Sequence, residues 1–167
     1  MIAGGIGGAN TLTGKWFEVA TDLKTALIEA KYNLNDFIFC RQHDFPKYFK
    51  EKTGLKMEDI FGKKFLPDEA VIYNDVLYVI EKKKQGGGGS VDEKIQTGPY
   101  KLSVYQSCAK LLGLKDAKYI YLLSGEYFNV PKFTIHQIPY LATYGILTYF
   151  DKLPLENLFW FFKKNKV

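Results

Sequence analysis

Two short apolar runs, Asp68-Glu-Ala-Val-Ile-Tyr73 and Val76-Leu-Tyr-Val-Ile-Glu-Lys-Lys-Lys-Gln85, flank the dipeptide Asn74-Asp75. Together they predict a β-hairpin closed by a two-residue turn. Strand side chains alternate between faces, so Leu77, Val79, Glu81, Lys83 and Gln85 share one face, and Val76, Tyr78, Ile80, Lys82 and Lys84 share the other. The second strand starts apolar on both faces and ends in charge, which predicts a buried beginning and an accessible rim. Glu81 and Lys83 then point the same way at that rim. Asp68, at the start of the partner strand, can lie close to them.

The remaining periodicities surround this hairpin with helices and strands. Trp16, Ala20, Leu23 and Leu27 recur at helical spacing and predict a helix from about Thr11 to Lys31, with Asn10, Thr11 or Thr13 as its cap. Glu18 lies off that apolar stripe, and its plain reading is a solvated helix residue. Phe37-Ile-Phe39 is strand-like and Phe45–Lys52 suits a short helix. Val91–Gln96 predicts a helical turn. A longer helix follows Pro99, with Leu102, Tyr105, Ala109 and Leu112 on one face. Tyr119–Leu123 reads as a buried strand, Lys132–Ile138 as another, and Leu155–Lys164 as a closing helix. The order helix, hairpin, helix, strand predicts an α/β fold with a mixed central sheet flanked by helices. A chain of 167 residues is expected to form one domain.

The chemistry concentrates at the hairpin. Pro67-Asp68 is followed, after twelve residues, by Glu81-Lys82-Lys83. Two carboxylates and an ammonium on one sheet can hold a hard divalent cation and polarise a water for attack on a phosphodiester. Lys83 would orient the water or offset developing negative charge. The bland alternative is a charged hairpin with a solvated lysine-rich end.

At these residues the chain resembles the PD-(D/E)XK nucleases, and more narrowly the type II restriction endonucleases of that superfamily. Three segments carry the resemblance: Gly7–Glu18, Pro67-Asp68 with Glu81-Lys82-Lys83, and Gly89–Lys101. It implies a restriction-endonuclease-like core. It also implies Asp68, Glu81 and the Lys82 backbone carbonyl as ligands of Mg²⁺ (with Mn²⁺ able to substitute), Lys83 as the catalytic lysine, and Glu18 as an extra acidic residue facing the site. The implied activity is Mg²⁺-dependent cleavage of double-stranded DNA, with a DNA methyltransferase as functional counterpart. Separately, the dense aromatic run Leu158–Phe162 offers a residual apolar face for a homodimer, whose two sites would address two strands. No matching signature follows about residue 130, where dimerisation or DNA-recognition elements are expected. Two other readings stay open: a structure-specific repair, recombination or nicking nuclease, and a non-catalytic DNA-binding module on the same scaffold.

Composition adds direction. The net charge is +5 and the pI about 9.0, which favours a polyanionic partner. Lysine dominates over arginine, so phosphate contact is easier to argue than base reading. Gln85, Gly87, Lys94 and Asn10 are weaker candidates for DNA contact. Gly86–Ser90 reads as an engineered Gly-Ser linker, a flexible connection, or a loop whose glycines admit a phosphate; a natural loop is favoured over the engineered linker, with Gly86 and Gly87 only weak candidates for DNA contact. Gly4–Gly8 with Gly14-Lys15 fails as a phosphate loop, because Trp16 stands where Ser or Thr is needed. Cys40-Arg-Gln-His43 has zinc-ligand spacing, but Cys108 and His136 are isolated, so buried cysteines are expected instead. Two cysteines give no disulfide framework, which agrees with a reducing cytoplasm. The glycine-bearing N-terminus lacks signal-peptide character, and the longest apolar stretch, Tyr140–Phe150, is too short to span a bilayer.

Overall fold

The computed structural model of the chain describes residues 16–85 and 91–159. A helical segment at 16–20 is followed by helix α1 (Leu23–Glu29), strand β1 (Ile38–Cys40), and helices α2 (Asp44–Thr53) and α3 (Met57–Phe61). Strands β2 (Glu69–Tyr73) and β3 (Val76–Lys83) come next, then helices α4 (Val91–Ile95) and α5 (Gly98–Leu111). Strand β4 (Asp116–Leu123), helix α6 (Gly125–Phe128), a π-helix (Lys132–Gln137), helix α7 (Ile138–Thr143), strand β5 (Leu147–Phe150) and helix α8 (Leu155–Leu158) complete the order.

The five strands form one mixed sheet in sequential order. β1, β2 and β3 are antiparallel neighbours, whereas β3–β4 and β4–β5 are parallel. The β2–β3 hairpin turns at Asn74 and Asp75 with φ of 49° and 60°. Positive φ at both central residues matches the right-handed twist of the strands, and Asn and Asp tolerate it best after glycine. Parallel β3 and β4 cannot be joined by a hairpin, so α5 serves as their crossover. Its start lies hard against the sheet: a Cβ at Gly98 would meet Tyr121 and Ile146 at 2.9 Å.

Each face of the sheet carries its own core. On one, Ala70, Ile72, Leu77, Val79, Tyr119 and Tyr121 pack under α2 and α5 through Phe45, Phe49, Leu102 and Tyr105. On the other, Val71, Ile80, Ile120 and Leu122 pack under Leu23 and Leu27 of α1, with Phe37 and Leu158. Each fully buried side chain of this size contributes about 1.5–3 kcal/mol. The result is an α/β fold with a five-stranded mixed sheet flanked by helices. No described helix is long and apolar enough to cross a membrane.

Two sequence expectations are corrected, and a third falls partly outside the described residues. The predicted helix Thr11–Lys31 is interrupted: helix 16–20 ends at Thr21, whose hydroxyl donates to the Phe17 carbonyl at 2.6 Å. Asp22 then caps α1, accepting from the Thr25 N–H at 2.7 Å. The break rotates the apolar stripe, so Phe17 is buried while Trp16 is 74% exposed. The predicted strand Lys132–Ile138 is a π-helix, started by Pro131 at φ −52°. Only Phe133 is buried in it, and Ile135 is 62% exposed, so no strand face exists to bury. The closing helix is four residues long, Leu155–Leu158, within the described chain; 160–167 lie outside it, as do 1–15 and 86–90.

Candidate functional site

The antiparallel register pairs Glu69 with Ile80, which carries Asp68 to the level of Glu81 just beyond the paired strands. Alternation along β3 then sends Glu81 and Lys83 to the α5 face and Lys82 to the α1 face. Two charge clusters result, back to back at the end of the hairpin.

The α5-side cluster contains Asp68, Glu81, Lys83 and Lys101. Lys83 Nζ lies 2.8 Å from Glu81 Oε1 and 3.9 Å from Asp68 Oδ2. Lys101, from the second turn of α5, reaches the same Glu81 oxygen at 2.8 Å. The Lys82 N–H donates to Asp68 Oδ2 at 2.7 Å. Burial first, and the like charge of Glu81 second, push the Asp68 carboxyl up to about 6, against the pull of Lys83. Burial would also raise Glu81, but Lys83 and Lys101 outweigh it and hold that carboxyl below its ordinary value. Beneath Glu81 lie Tyr105, Tyr119 and Tyr121, whose hydroxyls burial, and then the Glu81 charge, push far up. Glu81 thus sits on an aromatic floor with little solvent to screen it.

The α1-side cluster was not anticipated. Lys82 is buried and its Nζ lies 3.0 Å from Glu69 Oε1 and 3.1 Å from the Glu18 carbonyl oxygen. Glu69 accepts from the Leu23 N–H at 3.1 Å and pairs with Arg41 at 2.5 Å; Arg41 also bonds Asp22. The accessible rim expected at the end of β3 is therefore closed on both faces: Glu81, Lys82 and Gln85 are buried, and Lys83 and Lys84 are half-buried. Strand parity did contain the signal, because Glu69 and Lys82 share the inward face of Val71 and Ile80. Lys101 was missed too, although it lies one helical turn before the core residue Tyr105.

A cleft of about 660 Å³ opens over the α1-side cluster and reaches Asp68, lined among others by Glu18, Asp22, Arg41, His43, Asp68 and Glu69 but not by Glu81, Lys83 or Lys101. Asp68 is its link to the Glu81–Lys83 pair. Glu18 is an exposed residue of this cleft, close enough for its charge to help raise Asp68. Gln85 is buried rather than at an open rim, and Lys94 is exposed on α4. Asn10, Gly86 and Gly87 lie outside the described residues. Cys40 and Cys108 are buried, which pushes their thiols up to about 11 and about 12.

Among the described residues, no group of three or more His, Cys, Asp or Glu side chains gathers as a metal set. The donors at the hairpin end are instead two carboxylates, Asp68 and Glu81, and the main chain of Lys82. An extended residue of an antiparallel pair presents its N–H and C=O to the same neighbour, so the Lys82 carbonyl turns with its N–H towards Asp68. The opposing residue, Pro67, has no N–H to offer that carbonyl. One ammonium, Lys83, already spans both carboxylates, yet burial and the like charge of Glu81 still hold Asp68 above its ordinary value. That donor set fits Mg²⁺, which binds through one or two carboxylates and keeps several waters.

No protein-family model, no curated protein and no solved structure matches this chain.

Proposed function

We propose that the chain is a Mg²⁺-dependent DNA endonuclease of the PD-(D/E)XK kind, cutting duplex DNA in the manner of a restriction enzyme. The observation that carries this reading is the meeting of Asp68, Glu81 and Lys83 at one end of the hairpin, with Lys83 within 2.8 Å of Glu81 and 3.9 Å of Asp68. In it, Asp68, Glu81 and the Lys82 carbonyl hold the cation, which supplies Lewis-acid polarisation of the phosphate and a more acidic water. The Lys82 N–H orients the Asp68 carboxylate. Lys83 places a positive charge where negative charge develops as water attacks phosphorus in line. Lys101 keeps Glu81 ionised, and the tyrosine floor excludes water from behind it.

The test is cleavage of supercoiled and linear unmethylated DNA with Mg²⁺ or EDTA, comparing wild type with Lys83→Ala. Discrete fragments that need both Mg²⁺ and Lys83 support the restriction reading. Nicks or smears with the same dependence move the assignment to a structure-directed nuclease. Salt-sensitive binding without any cutting moves it to a non-catalytic DNA-binding module.

A further inference from the structure

The cleft at Asp68 poses an electrostatic problem. Five carboxylates, Glu18, Asp22, Asp44, Asp68 and Glu69, line it against two cations, Arg41 and Lys82, so on balance it repels a phosphate backbone unless a further cation is present and attraction comes from elsewhere. A second groove, of about 410 Å³, adjoins it along α2 and α3 and is lined by His43, Lys47, Lys50, Lys56, Glu58 and Lys64. His43 belongs to both. α2 turns Phe45, Pro46 and Phe49 into the core and leaves Lys47 and Lys50 exposed, and Lys56 precedes α3. The groove's one carboxylate, Glu58, is paired with Lys64 at 3.2 Å. Among the described residues, Lys47, Lys50 and Lys56 make no ion pair.

The wall between groove and cleft is tied to the site. The Gln42 N–H donates to the Pro67 carbonyl at 2.8 Å, one residue before Asp68, and Arg41 is held by Glu69 and Asp22. Cations on one side of that wall therefore keep a fixed relation to Asp68 on the other. Lysines are compact point charges without the fork geometry that reads bases, so such a lane grips phosphates without regard to sequence.

We infer that Lys47, Lys50 and Lys56 form a lane for the phosphate backbone of duplex DNA flanking the bond held at Asp68; this rests on the nuclease reading above. Each phosphate neutralised contributes about 0.9 to the slope of log affinity against log salt. The experiment titrates a labelled duplex of about two helical turns, roughly 20 bp, against the full chain in Ca²⁺ buffer between about 50 and 200 mM salt. Lys47→Ala/Lys50→Ala/Lys56→Ala should flatten the slope by about 2–3, so that the affinity gap from wild type shrinks about 40-fold across that range. The corresponding triple Lys→Arg variant should bind as wild type does, because charge and not side-chain shape is what the lane supplies. Lys110→Ala/Lys115→Ala/Lys118→Ala, at the opposite end of β4, should leave the slope unchanged. An unchanged slope in the first variant, or an equal loss in the last, overturns the lane while leaving wild-type cutting, and hence the nuclease reading, intact. Tighter binding of an RNA duplex than of DNA through the same lysines overturns the DNA assignment. A wild type that neither binds nor cuts duplex DNA removes both.

Discussion

The two faces of the hairpin end use the same residue types for opposite purposes. On the α1 side, Glu69 and Lys82 are buried, and the bonds they receive leave little unsatisfied: an amide, a guanidinium, a carbonyl and each other. On the α5 side, Asp68 and Glu81 face one another with two ammonium groups that converge on Glu81, while burial and the like charge of Glu81 hold Asp68 above its ordinary value. A satisfied buried cluster locks one geometry; an unbalanced, partly open one is prepared to take a cation. The difference teaches that a carboxylate's role here follows from what its neighbours leave unpaired, since strand position alone separates Glu69 from Asp68 by one residue.

The contrast can be broken most severely at Glu69. Glu69→Ala strands the Lys82 ammonium, whose side chain is 2% exposed, and should cost about 3–5 kcal/mol in urea unfolding. Replacing both partners, Glu69→Leu with Lys82→Met, should recover most of that loss; no recovery would mean that the cluster is not acting as a pair. Lys83→Ala should do the reverse. Mg²⁺-dependent cleavage falls roughly 10²–10³-fold, while the unfolding free energy changes far less than in Glu69→Ala, because Lys101 still pairs with the buried Glu81.

Asp68→Asn sharpens the comparison through pH. The Asp68 carboxyl is raised to about 6 in the fold, so its charged form opposes folding, and stability contributed by the protonated form is lost as pH rises from about 4 to about 6. In EDTA the Asn variant should therefore match wild type near pH 4 and exceed it by up to about 3 kcal/mol above pH 7, while losing metal-dependent cleavage. A gap that does not change with pH would refute the raised carboxyl. The smallest effect is expected at Lys101→Met. Removing one of the two cations that hold Glu81 low should move the titration of the Glu81 carboxyl upward, read by NMR of its carboxyl carbon against pH, with a modest change in cleavage rate at pH 8.

Much of this arrangement was legible from short-range pattern. The hairpin, its Asn74-Asp75 turn and the shared face of Glu81 and Lys83 follow from period-2 alternation and turn chemistry, and α5 follows from Pro99 and the Leu102, Tyr105, Ala109 spacing. The break at Thr21 and Asp22 was not legible. Each takes a local hydrogen bond that competes with continued helix, and the Leu23 N–H is then satisfied by Glu69, 46 residues away. The π-helix at Lys132–Gln137 was misread because a short run of Phe, Thr and Ile carries no periodicity long enough to separate strand from helix.

The sequence by itself determined which residues could share a strand face, because alternation depends only on local backbone geometry; it thereby brought Asp68, Glu81 and Lys83 to one end of one hairpin. Tertiary structure alone decided which of the neighbouring charges would be spent on the fold. Lys82 is consumed by Glu69 and the Glu18 carbonyl because α1 covers that face, and Glu81 gains Lys101 because the β3–β4 crossover lays α5 across the other. Those partners lie 13 to 64 residues away in the chain, and the energy of a buried charge depends on what is packed around it, which no local pattern encodes.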